Sequence, residues 1–114
     1  MLQAKYRLKE NREFRRVFQR GRSVATGRMV LYWYENRSTA EFRVGFSISK
    51  KVGKAVVRNK LKRRLRECFQ LLAPELKDKH LDIVVVCRKS AAGATFAEIH
   101  NELLKLLRKA KIMI

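Results

Sequence analysis

The chain has 114 residues, which is enough for one domain with one modest core and too short for two. Its 28 lysines and arginines outnumber 10 aspartates and glutamates, so the formal net charge is +18. Self-repulsion of this size is tolerated when a polyanion neutralises it, and nucleic acid is the usual polyanion. We therefore expect a single nucleic-acid-binding domain over residues 1–114 that is monomeric on its own.

An anionic membrane is the other partner that would attract such a charge. The longest apolar run, Ile83–Cys87, is far too short to span a bilayer. No lipidation motif is present, and residues 1–7 lack the apolar stretch of a secretory signal. We therefore expect a soluble, cytoplasmic protein with no membrane partner.

The two cysteines, Cys68 and Cys87, lie 19 positions apart, with no CxxC pair and no histidine placed to complete a metal site. A zinc site and a structural disulfide are the alternatives. Two buried, reduced thiols explain this spacing better in a cytosolic protein. The sequence therefore predicts no metal site.

The first third of the chain predicts a short helix followed by two strands. The helix covers Arg12–Arg20, with Asn11 as its N-cap and Gly21 just after its last turn. Its apolar residues fall on one side at helical spacing: Phe14, Val17 and Phe18. Extended segments are predicted at Ser23–Thr26 and Met29–Tyr34.

The middle of the chain predicts a strand and a long helix. Phe42–Ile48 alternates between apolar and other residues, which is typical of a half-buried strand. A helix is predicted over Ala55–Ala73, and Pro74 should stop it.

The last third predicts one strand and one helix. Asp82–Arg88 is a continuous run of isoleucine and valine, which is typical of an interior strand. Thr95 and Glu98 form a capping box that opens a final helix reaching about Lys111. The order of elements indicates one α+β domain.

The segment Lys50–Arg66 carries nine lysines and arginines and no acidic residue. In a helix, its apolar residues and those after it share one side: Val57, Leu61, Leu65, Cys68 and Leu72. The opposite side carries Asn59, Lys62, Arg63 and Arg66, with Arg58 at the boundary. A solvated surface is the alternative, but such surfaces usually mix charges to gain i,i+4 pairs. The unmixed positive charge favours a phosphate-binding face.

This stretch also resembles a known family. Phe42–Glu67 is similar to the signature of the ribonuclease P protein, and its centre, Arg58-Asn59-Lys60, matches the family's Arg-Asn-Arg motif. Lysine in the third place keeps the charge but loses a bidentate fork. Leu8–Gly21 resembles the family's opening, and the similarity extends over about residues 6–109. It implies a mixed four-stranded sheet with three helices in the order α-βββ-α-β-α, including a left-handed βαβ crossover.

The resemblance also implies a function. The family's protein subunit helps a catalytic RNA remove the 5′ leader from precursor tRNA, with Mg²⁺ bound mainly by RNA. The two implied partners are therefore the ribonuclease P catalytic RNA and precursor tRNA. In the family, the motif helix docks on the catalytic RNA, which implies these contacts here: Lys51, Lys54, Arg58, Asn59, Lys62, Arg63 and Arg66.

The aromatic residues predict a second site. Met29–Tyr34 is apolar on both faces, and the face with Tyr32 should lie near the first helix. From the pattern alone, Phe14 and Phe18 are either a small satellite core or part of a shallow cleft that stacks unpaired bases. The family holds the single-stranded leader between this helix and the sheet. The resemblance therefore implies leader binding by Phe14, Phe18 and Tyr32.

No catalytic residue is predicted in this chain. His80 and His100 have no partner at a spacing that suggests a catalytic dyad, and Asp82 is a lone carboxylate before a strand, typical of a cap or an ion-pair partner. Two other function classes stay open on sequence. One is a structural ribosomal protein, because the family fold resembles a ribosomal domain. The other is a self-contained nuclease, which would need a catalytic constellation of its own.

Overall fold

A computed structural model of the chain describes residues 2–113. These residues form three α-helices and four strands in the predicted order: α1 Asn11–Arg20, β1 Arg22–Ala25, β2 Met29–Glu35, β3 Arg43–Ser47, α2 Ala55–Leu76, β4 Leu81–Cys87 and α3 Phe96–Lys109. Single-turn 3₁₀ helices lie at Ala4–Tyr6, Lys50–Val52 and Lys89–Ala91. Most strand ends differ from the predicted ones by one residue. The predicted fold class is confirmed.

The sheet has the strand order β1-β2-β4-β3. β1 pairs with β2 and β2 with β4 in antiparallel fashion, whereas β3 pairs with β4 in parallel. β4 is therefore an interior strand, as its isoleucine and valine run predicts. The registers place Tyr32, Val84 and Gly45 in one row across β2, β4 and β3.

The connection from β3 through α2 to β4 is a left-handed crossover. Val44 packs in the core on the α2 side of the sheet, and its carbonyl accepts a hydrogen bond from the backbone N–H of Leu8 on the free edge of β3. When a strand of L-residues is viewed running upward, a residue whose side chain points toward the viewer has its backbone carbonyl on the right. Seen from α2, β4 therefore lies to the left of β3. The rare handedness that the resemblance implies is confirmed.

Apolar side chains pack on both faces of the sheet. The main core lies under α2 and α3, where Leu31, Leu65 and Leu103 are fully buried. A smaller cluster under α1 contains Leu8, Val17 and Val84, with Phe14 and Tyr32 packed against it. The predicted division of β2 into a core face and an α1 face is confirmed.

α1 begins one residue earlier than predicted. Asn11 is its first residue and not its cap; the cap is Glu10, whose backbone N–H donates to the Glu13 carboxylate at 3.2 Å. A glutamate at the third helical position reaches back over the first turn, which satisfies a donor that the helix itself leaves free.

The predicted end of α2 is also wrong. Pro74 lies inside the helix, which continues to Leu76. Pro74 has no N–H to donate to the preceding turn, but the N–H of Lys77 still donates to the carbonyl of Ala73 at 2.8 Å. Burial of Leu76 in the main core holds this last turn in place.

Both cysteines are buried and free, as predicted. Burial raises the pKa of the Cys68 thiol, and that of Cys87, to about 12. The thiolate is the reactive form, so these side chains serve as small apolar groups of the core.

Candidate nucleic-acid interface

Arg43 forms ion pairs that connect α1 to the end of the sheet. Its Nε and Nη2 atoms donate to the two carboxylate oxygens of Asp82, each at 2.9 Å, and its Nη1 donates to Glu13 of α1. Asp82 is fully buried and also accepts a hydrogen bond from the Asn36 amide at 2.9 Å. Glu13 is therefore shared between the cap of α1 and this ion-pair network.

The charges in this network favour an ionised Glu13. Its partial burial alone would raise the carboxyl pKa. The hydrogen bond from Glu10 and the positive charge of Arg43 outweigh that effect, so the pKa lies below its ordinary value.

A cleft of about 600 Å³ opens between α1, the edge strand β3 and α2. We call it the central cleft. Its lining residues come from all three elements and from the segment before α1: Arg7, Leu8, Lys9, Asn11, Phe14, Phe18, Val44, Gly45, Phe46, Ser47, Lys62 and Arg66. Four of these are basic and none is acidic, so the cleft combines aromatic surface with positive charge.

Phe14 lies directly over Gly45 of β3. A Cβ atom added at Gly45 would meet the Cζ atom of Phe14 at 2.2 Å, which is far inside van der Waals contact. The glycine therefore supplies the flat patch of sheet on which the Phe14 ring rests.

Phe18 and Tyr32 are in contact but are placed differently. Their ring centroids are 4.9 Å apart in an edge-to-face arrangement. Phe18 lines the central cleft and is 41% exposed, which is high for a phenylalanine. Tyr32 is half-buried behind it and does not line the cleft. The structure thus brings Phe14 and Phe18 together in the cleft, with Tyr32 as a support of Phe18.

Two cations of α2 face the same cleft. Lys62 and Arg66 line it opposite α1, with Arg7 nearby. Partial burial and the positive charge of Arg7 lower the pKa of the Arg66 guanidinium, which nevertheless stays protonated at neutral pH. No carboxylate lines the cleft to offset the repulsion between Arg7 and Arg66, so an anion bound there would be stabilised.

The other five predicted docking residues lie outside the central cleft. Lys51, Lys54, Asn59 and Arg63 are exposed, and Arg58 is half-buried. The first turn of α2 contains no acidic residue, and Lys54 makes no side-chain cap bond there. We call these five residues the outer face of α2, although Lys51 and Lys54 lie just before the helix.

Sequence reasoning missed several cations of these surfaces. Arg7 and Lys9 line the central cleft, although they precede the helix on which the prediction concentrated. Lys89 lies in a 3₁₀ turn that contacts the turn at Lys50–Val52, close to the outer face of α2. The only sequence signal was their charge, which is not distinctive in a chain with 28 cations.

The remaining candidate side chains have structural contacts. The Nδ1 atom of His80 lies 2.7 Å from the carbonyl oxygen of Thr39, and the His100 ring stacks on Phe96 with centroids 5.9 Å apart. Asp82 is an ion-pair partner, which is one of the two structural roles expected for it. Residues 2–113 contain no cluster of histidine, cysteine and carboxylate side chains suited to a metal ion.

Comparison with known proteins identifies this arrangement. The Ribonuclease P family model matches residues 2–111. The chain belongs to the ribonuclease P protein family. A ribonuclease P protein component of Geobacillus kaustophilus is 44% identical over 109 residues, which are 96% of this chain and 89% of that protein. One from Staphylococcus aureus is 40% identical over 112 residues, covering 98% and 94%.

Solved structures of the family share this fold. The RNase P protein of Staphylococcus aureus has a TM-score of 0.88 at 39% identity, over 96% of this chain and 98% of that one. The RNase P protein of Thermotoga maritima has a TM-score of 0.80 at 34% identity, over 90% and 96%. As a ribonuclease P protein component, the chain is part of an endoribonuclease that processes the 5′ leaders of tRNA.

Proposed function

We propose that this chain is a single RNA-binding domain that joins two RNAs in the ribonuclease P complex. The outer face of α2 binds the catalytic RNA, through Lys51, Lys54, Arg58, Asn59 and Arg63. The central cleft binds the single-stranded 5′ leader of precursor tRNA through Phe14 and Phe18, with Tyr32 supporting Phe18.

The family resemblance implies that Lys62 and Arg66 contact the catalytic RNA, whereas this proposal assigns them to the central cleft. Both line the central cleft beside Phe14 and Phe18. Stacking on aromatic rings together with charge along the backbone is the usual way to bind a single strand without reading its sequence. We therefore assign these two cations to leader phosphates, at the border between the two RNAs. The meeting of aromatic and basic residues in one cleft is the observation that carries the proposed function.

The chemical step belongs to the RNA in this proposal. Mg²⁺ held mainly by RNA would stabilise the charge that develops as the phosphodiester is cut. The chain's own residues bind and position the two RNAs, and its positive charge lowers the repulsion between them. We place the complex in the cytoplasm. No helix within residues 2–113 is both long and apolar enough to cross a membrane.

Reconstitution tests this function directly. The purified chain, mixed with a bacterial ribonuclease P RNA, should restore cleavage of precursor tRNA at a low Mg²⁺ concentration at which the RNA alone is inactive. The chain alone should cleave nothing. Cleavage by the chain alone, or no gain in the mixture, would refute the proposal.

Arg63→Ala should weaken binding of the catalytic RNA and reduce its salt dependence. Losing one phosphate contact lowers the slope of log affinity against log salt by about 0.7–0.9. Lys105→Ala is the matched control, because Lys105 is an exposed cation on α3 that belongs to neither proposed surface. Filter binding at several salt concentrations measures the slopes. Equal slopes for the two variants would remove Arg63 from the docking face.

A further inference from the structure

A second groove, of about 540 Å³, lies at the end of the sheet where β2 finishes. We call it the end groove. The last residues of α1, the residues that follow α3 and the turn before β4 form its walls, and Trp33 and Tyr34 of β2 line it. The function proposed above does not involve this groove.

The end groove is rich in positive charge. Five of its lining residues are basic and two are acidic: Arg20, Arg22, Arg37, Lys79 and Lys111, against Glu35 and Asp78. Among residues 2–113, none of the five cations forms an ion pair. Arg28, by contrast, contacts two carboxylates. Helix C-termini attract cations, which accounts for Arg20 and Lys111 but not for Arg22. Unpaired charge in a concave surface attracts an anionic partner.

Trp33 gives the end groove a surface on which a base can stack. It is half-buried, packs partly against the main core and also lines the groove. No other aromatic ring of the described chain stacks on it. An indole fixed by the core and open on one side resembles the platforms that hold unpaired bases.

Lys111 sits at the rim in a conformation that favours glycine. Its φ angle is 61°, and the N–H of Ile112 donates back to the carbonyl of Leu107 at 2.9 Å, as in a Schellman motif. Glycine is the usual residue at this position because it has no Cβ atom. A lysine there keeps its charge beside the groove at a conformational cost, which a binding role would explain.

We propose that the end groove binds a short unpaired stretch of RNA, with one base stacked on Trp33 and phosphates held by Arg22 and Lys111. Two sources share this chemistry. One is a leader nucleotide beyond the central cleft, since Phe18 in that cleft and Arg20 in the end groove are only two residues apart. The other is an unpaired segment of the catalytic RNA. The leader source rests on the function proposed above, whereas the groove's capacity to bind RNA does not.

The chain's only tryptophan makes the test direct. The isolated full chain is titrated with a five-nucleotide oligoadenylate while the fluorescence of Trp33 is followed. We expect saturable quenching. Lys111→Gly and Arg22→Gln should each weaken binding several-fold and lower the salt slope by about 0.7, the value for one contact to a single strand. Lys111→Gly should also raise the midpoint of thermal unfolding, so that weaker binding cannot be attributed to misfolding.

Lys105→Ala is the matched control, because it removes an exposed cation of α3 that lines neither groove. It should leave the quenching unchanged. The proposal would be overturned by an absence of quenching, by quenching in the Arg22 and Lys111 variants equal to that in the wild-type chain, or by a loss of quenching in Lys105→Ala. A final titration identifies the source of the RNA. Quenching of Trp33 when the catalytic RNA is added to the chain identifies that RNA as the occupant. Quenching that occurs only when a long-leader precursor tRNA is then added identifies the leader.

Discussion

Replacing Arg43 with methionine should lower the free energy of unfolding by roughly 3–5 kcal/mol, because it leaves the fully buried Asp82 carboxylate without its charged partner. That is a large fraction of the 5–15 kcal/mol by which a domain of this size is typically stable. Glu13 loses the same partner, so α1 is then held to the sheet by its apolar contacts alone. Urea unfolding of the isolated chain measures the change.

Arg28→Met is the matched control for this experiment. Arg28 also joins two carboxylates, but neither is fully buried: the Glu98 side chain is 44% exposed and that of Glu102 is 16% exposed. Glu102 also keeps its hydrogen bond from the Thr26 hydroxyl when Arg28 is removed. Arg28→Met should therefore lower the free energy of unfolding by less than Arg43→Met, by about 1–2 kcal/mol. If the two variants were equally stable, the buried network would not be what anchors α1.

Gly45→Ala should reproduce the leader-binding defect of Phe14→Ala, although alanine adds only a methyl group. The new Cβ atom would lie 2.2 Å from the Phe14 ring, so the ring must leave its place on β3. Loss of one base-stacking surface costs about 1–3 kcal/mol of binding free energy. We expect a loss of this size for precursor tRNA in the reconstituted complex.

A double-mutant cycle separates this steric effect from a general disturbance of the sheet. In the Phe14→Ala background, Gly45→Ala should cause no further loss, because the ring that it displaces is already absent. Gly27→Ala is the control, since nothing lies within 4 Å of a Cβ atom there. Additive losses in the cycle would contradict the proposed contact between position 45 and the ring.

Local patterns predicted the helices and strands well. The Thr95–Glu98 capping box opens α3 where it was expected, and the apolar run of β4 predicted an interior strand. The end of α2 was not predictable in this way, because burial of Leu76 by distant residues outweighs the local effect of Pro74. The left-handed crossover came from the family resemblance alone, since general connection rules predict the opposite hand.

The sites were predicted less completely than the fold. Helical periodicity placed Lys62 and Arg66 on the polar side of α2, but it carries no information on which other element they face. Packing of α1 against the sheet brings Phe14 and Phe18 to the same cleft as these two residues, so the docking helix also forms a wall of the central cleft. The end groove has no sequence signal at all, because its residues come from four separate segments of the chain.

One measurement tests the central claim, that the cleft between α1, β3 and α2 holds the leader. The affinity of the reconstituted complex is measured for precursor tRNA with a long leader and for tRNA without one, using the wild-type chain and Phe14→Ala. We predict that Phe14→Ala weakens binding of the precursor by about 1–3 kcal/mol and leaves binding of the leaderless tRNA unchanged. Equal losses for both RNAs, or no loss for either, would contradict the claim.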